Sequence, residues 1–131
     1  MRPRGSRPDR PARMSCGQAR ELARRVLAEV GAPPVLVTDV LMVVSELVSN
    51  AIRHAGGPAG FHIYRRSGVI IVEVSDHSPR LPQLRPRSPN LPGHFGWRLV
   101  KTLAPTVFIR FHRGGKTITA PLPLHPTPHI R

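Results

Sequence analysis

The chain has a single cysteine, Cys16, in 131 residues. One thiol excludes an internal disulfide and a cysteine-based zinc cluster. Aromatic residues are few, with one Trp, one Tyr and four Phe. That leaves no evident platform for stacking single-stranded bases. Acids are scarce, seven against twenty Lys and Arg, and lysine is scarcer still: Lys101 and Lys116 are the only two. No apolar run reaches the length of a membrane span; the best, Val35 to Val44, is short and contains Asp39. Met1 to Arg13 lacks the apolar segment of a secretory signal. The expectation is a cytoplasmic protein with no membrane contact.

What is abundant is arginine and proline, and the net charge is +13. Such a charge suits polyanions: nucleic acid, nucleotides or an acidic protein. The arginines are scattered, however, and an Arg-rich, Lys-poor composition is also what a GC-rich genome produces. No nucleic-acid-reading motif accompanies them, so no direct nucleic-acid contact is expected.

The length fits one domain with a proper core. Residues 1–14 read as a disordered basic arm, since MRPRGSRPDRPAR cannot bury apolar surface. The domain proper is expected over 15–122, and 123–131 as a flexible Pro-rich tail. A first helix is expected from Ser15, a good N-cap, to Val30, with Glu21 and Arg25 as an i,i+4 pair. Gly31 and Pro33-Pro34 end it. A second helix runs from Val35 or Thr38 to His54, stopped by Gly56-Gly57-Pro58. Strands follow at Ala59 to Tyr64 and Val69 to Ser75, the second nearly all apolar and therefore central. A long Pro- and Arg-rich loop, His77 to Pro92, precedes a short helix at Gly96 to Leu103. Strands at Thr106 to His112 and Thr117 to Leu122, joined by Arg113-Gly114-Gly115-Lys116, complete the order. Helices do not alternate with strands. That order predicts an α+β fold: a two-layer sandwich of a mixed, mostly antiparallel sheet with helices on one face.

The second helix carries the chemistry. Glu46 and Asn50 lie four residues apart and share a face, with Arg53 and His54 one turn on. A wheel at about 100° per residue puts Val37, Val40, Leu41, Val44, Leu47, Val48, Ala51 and Ile52 on one apolar arc and Glu46 opposite. The polar side could simply be solvated. Met42 and Val43 flank it, though, which predicts a helix covered on both sides with a partly apolar pocket over Glu46 and Asn50. Asp76 ends the buried strand and could accept from an exocyclic amine; it could equally just start a turn. Gly93-His94-Phe95-Gly96 leads into a helix, where backbone N–H groups at the positive end can meet phosphate; it could also be a plain junction. Gly115-Lys116-Thr117 has the end of a phosphate-binding loop without its earlier glycine, so a hairpin turn is the better reading. His62 and His112 are expected in strands, and the histidines show no metal-ligand spacing.

Taken together, these pieces resemble the gyrase, chaperone, histidine-kinase and mismatch-repair ATPases, the GHKL or Bergerat fold. The closest likeness is to the RsbW-like anti-sigma-factor serine/threonine kinases, in their short actinobacterial form. The family's Glu-Leu-x-x-Asn-Ala-x-x-His box matches Glu46-Leu47-Val48-Ser49-Asn50-Ala51-Ile52-Arg53-His54. Its next box matches Asp76 with Ser78 and Pro82, and its glycine box precedes Leu99-Val100. The resemblance implies ATP and Mg²⁺ as ligands, with Asn50 on the metal and Glu46 as catalytic base. It implies Asp76 on the adenine amine, with His54, Ser78, Gly93, Gly96 and Leu99 completing the nucleotide site. Arg80, Arg85 or Arg87 could add charge from the loop. Implied partners are a sigma factor and a STAS-type anti-sigma antagonist, with room for a homodimer. The chain departs from the superfamily in having His77-Ser78-Pro79 where glycines usually follow the Asp, and in spreading the glycine pair over Gly93 to Gly96. A nucleotide-binding module without turnover is therefore the alternative.

Overall fold

The computed structural model describes residues 14–81 and 96–125. Helix α1 spans Cys16–Glu29 and begins with a full capping box. The Ser15 hydroxyl accepts from the Gln18 N–H at 3.1 Å, and the Gln18 carboxamide accepts from the Ser15 N–H at 2.9 Å. Two donors that a helix start leaves unmatched are thereby satisfied. On its surface the basic partner of Glu21 is not Arg25 but Arg24, one residue closer, at 3.4 Å.

Helix α2 spans Pro34–Ala55 and begins earlier than the proline pair suggested. Pro34 takes the first helical position, where its missing N–H costs nothing. Gly56, at φ 74°, closes the helix in the left-handed conformation that glycine tolerates best. By length and composition α2 could cross a membrane, contrary to the sequence expectation, but half of its most apolar window is buried inside the protein. Its Leu36, Val40, Val44, Leu47, Val48 and Ala51 are core residues. Each such Val or Leu contributes about 2 kcal/mol by leaving water. Ile52 belongs to the arc by angle yet is 45% exposed, because the helix has nearly run off the core there.

Strands β1 (Gly60–Arg66) and β2 (Val69–Asp76) form a hairpin whose turn is Ser67-Gly68, tighter than the four residues expected. Helix α3 spans Gly96–Leu103, and strands β3 (Phe108–His112) and β4 (Gly115–Pro123) form the second hairpin. The sheet order is β1-β2-β4-β3, and every pairing among the described residues is antiparallel. His62 and His112 are strand residues. Strand β4 is longer than expected at both ends. Pro123 belongs to it, and Leu124 is buried with its N–H on the Gly68 carbonyl at 2.8 Å. Both residues lie in the segment expected from sequence to be a flexible tail.

The architecture is a two-layer α/β sandwich. Ile63, Ile70, Val72, Val74, Ile118, Ala120 and Leu122 alternate along their strands toward the helices and are buried. Helix α2 lies against β2 and β4, with α1 on one flank and α3 on the other. Ser45 and Ser49 face α1: Arg20 donates to the Ser45 hydroxyl at 3.3 Å, and the Cys16 sulfur lies 3.3 Å from the Ser49 hydroxyl.

Candidate functional site

Helix α2 ends at Gly56, and β1 begins at Gly60 opposite Ser75. The last turns of α2 therefore run to the same end of the sheet as Asp76. Helix α3 is tied to α2 by a hydrogen bond within the helical layer. The Gly96 N–H donates to Glu46 Oε1 at 2.9 Å, and both residues are buried. Gly96 has φ 80°, so a residue with a Cβ would be strained at this junction. A carboxylate at the start of α3 also meets the positive end of the helix dipole.

Glu46 is only 4% exposed. The expectation of a helix covered on both sides holds, since Val43 is fully buried and Met42 half-buried beside it. Its second oxygen, Oε2, has no hydrogen-bond partner among the described residues. A buried carboxylate oxygen without a partner costs free energy unless something visits it. Asn50, one turn on, is half-buried, as is His54 in the last turn. Leu99 is half-buried on α3, one turn from Gly96.

Asp76 is 3% exposed at the end of β2. Its Oδ1 accepts from the Ser78 N–H at 2.8 Å, an Asx turn that folds the chain back at the strand end. The buried Ser78 extends the turn, its hydroxyl accepting from the Arg80 N–H at 3.2 Å. Gly93, Pro82, Arg85 and Arg87 lie outside the described residues.

Sequence reasoning missed Lys116. It was assigned to a hairpin turn, yet its side chain is 1% exposed and it sits directly across from Asp76 in the register of β2 and β4. Its ammonium donates to both Asp76 carboxylate oxygens at 3.1 Å and to the Ser78 carbonyl at 3.0 Å. The signal was in the alternation: Lys116 shares a face with Ile118, Ala120 and Leu122, which is the core face.

Among the described residues no group of three or more His, Cys, Asp or Glu side chains could hold a metal. A Mg²⁺ would thus rely on phosphate oxygens and water with one or two protein ligands, which is its usual habit. Asn50 and the unpartnered Glu46 oxygen are oxygen donors of that kind. Acidic and amide groups on one helix, a buried carboxylate at the sheet end and a glycine-led helix start are the groups to which the GHKL resemblance assigns nucleotide binding. A family model for the histidine kinase-like ATPase domain matches residues 8–121. The chain belongs to that family. No curated protein and no solved structure matches the chain.

Proposed function

We propose that this ATPase domain binds Mg-ATP as an RsbW-like regulator and phosphorylates a serine or threonine on a STAS-type anti-sigma antagonist, with a sigma factor as its alternative partner. The observation that carries this reading is the Glu46–Gly96 bond. It sets Glu46, the first residue of the Glu-x-x-x-Asn pair, beside the start of α3, on a helix that runs toward the sheet end holding Asp76. In the proposed site Asp76 accepts from the adenine amine, the N-terminal end of α3 faces the phosphates, and Asn50 holds the metal. Mg²⁺, when bound, neutralises phosphate charge. Phosphoryl transfer asks little else of a protein than positioning and charge neutralisation. Glu46 Oε2 takes the proton of the incoming hydroxyl, whose oxygen bonds to the terminal phosphorus as the bond to the leaving ADP oxygen breaks. Titration with ATP and Mg²⁺ tests the binding half. Wild type is expected to bind, and Asn50→Ala and Asp76→Asn to weaken binding at least about tenfold. Binding by neither wild type nor variants, or by all three alike, contradicts it.

A second reading keeps the nucleotide and drops the transfer. It is favoured by the spread of the glycine pair over Gly93 to Gly96, where bulky residues stand between the two glycines. Labelled ATP incubated with a STAS-type antagonist separates the two: label appearing on the antagonist excludes the non-catalytic module.

A further inference from the structure

Lys116 is a buried ammonium that the proposed chemistry does not use. An ammonium has three N–H donors and no acceptor. Three acceptors meet it: Asp76 Oδ1, Asp76 Oδ2 and the Ser78 carbonyl. It therefore keeps no donor for a ligand. Asp76 Oδ1 is also spoken for twice, by Lys116 and by the Ser78 N–H. Oδ2 accepts from Lys116, and its second lone pair is the one a base amine would take. Burying such a pair is a weak source of stability, since desolvation offsets most of the attraction. Its clear consequence is geometric: an ammonium donating to both oxygens holds the carboxylate in one orientation as an acceptor.

We infer that Lys116 is a specificity-determining residue for the base, holding Asp76 as a fixed acceptor that admits a purine led by an amine and rejects one led by a carbonyl. The inference rests on the nucleotide reading above. An exocyclic amine can donate to the open lone pair of Oδ2. A carbonyl in the same place sets acceptor against acceptor, with no proton between them. A ring with only hydrogen at that position does neither. The expected order on the wild-type protein is ATP first, purine riboside triphosphate second, ITP last. Lys116 acts through Asp76 without touching the base. With methionine at 116, the buried carboxyl loses its counter-charge and neutralises by taking up a proton. It then carries a donor that can meet a carbonyl, and the penalty against ITP shrinks.

The test is a Kd series for ATP, ITP and purine riboside triphosphate on wild type and on Lys116→Met. Wild type is expected to prefer ATP to ITP by on the order of tenfold or more, with purine riboside triphosphate between. Lys116→Met is expected to bring the ATP-to-ITP ratio to within about threefold, a change of about 0.7 kcal/mol or more. A lysine that only supports the fold would weaken both nucleotides equally and leave the ratio unchanged; that result overturns the inference. Should Lys116→Met fail to fold, the wild-type series decides alone: ITP binding as well as purine riboside triphosphate overturns the inference. Wild type binding no nucleotide at all removes the nucleotide reading itself, and the inference with it.

Discussion

A methyl group on Gly115 would collide with the backbone carbonyl of Asp76. The neighbouring Gly114, at φ 84°, is the glycine that the hairpin turn needs. Two adjacent glycines thus serve different ends, one to turn the chain and one to let β4 approach β2 beside Asp76. From sequence both looked like turn residues, because close approach leaves no mark on composition. Gly115→Ala is expected to cost about 1–3 kcal/mol in urea unfolding, as overpacking does, and to weaken ATP binding as well; unchanged stability would contradict the close contact. Tyr64 offers a second residue-scale check on the uncovered face of the sheet. Its hydroxyl donates to Glu73 at 3.2 Å, and burial first, then the Glu73 charge and hydrogen bond, raises its pKa from 10.0 against the pull of Arg66. The folded protein holds the phenol proton more tightly than the unfolded chain. The stability this provides is complete below the ordinary tyrosine pKa and lost as pH rises through the folded value. The urea midpoint is expected to fall above about pH 10, and part of that fall to vanish in Tyr64→Phe.

Elements explain why some of this was legible. The cap of α1 is local, so Ser15 could announce the helix start by itself. The strand β2, with its apolar and β-branched run, announced its central place. Helix α3 is different, since its start depends on a side chain fifty residues earlier in the chain. The sequence placed α3 correctly but could not show that Glu46 anchors it. This makes the helix a test of what Glu46 does. Glu46→Ala strands the buried Gly96 N–H and is expected to cost about 1–3 kcal/mol. Glu46→Gln keeps an acceptor and should stay within about 1 kcal/mol of wild type, while losing transfer of label to an antagonist. Thermal or urea unfolding of the two variants checks the first claim; equal stability of both would show that the cap contributes nothing.

At the scale of the molecule, one helical layer covers one face of a four-stranded sheet, and the candidate site lies at one end of that layer. The order of helices and strands made the sandwich readable, because non-alternating elements leave few ways to cover a sheet. The boxes made part of the site readable in outline: Glu46 meets Gly96 between α2 and α3, and Asp76 ends β2 at the sheet end toward which α2 runs. What stayed hidden is tertiary, namely the burial of Lys116 and its grip on Asp76, since a lysine after two glycines reads as a solvated turn until the strand register is known. Whether these groups form one Mg-ATP site is decided by a crystal structure with a non-hydrolysable ATP analogue and Mg²⁺. The adenine amine is expected on Asp76 Oδ2, the phosphates at the Gly96 end of α3 and the metal on Asn50. A nucleotide bound elsewhere, or one whose base leaves Asp76 untouched, would contradict it.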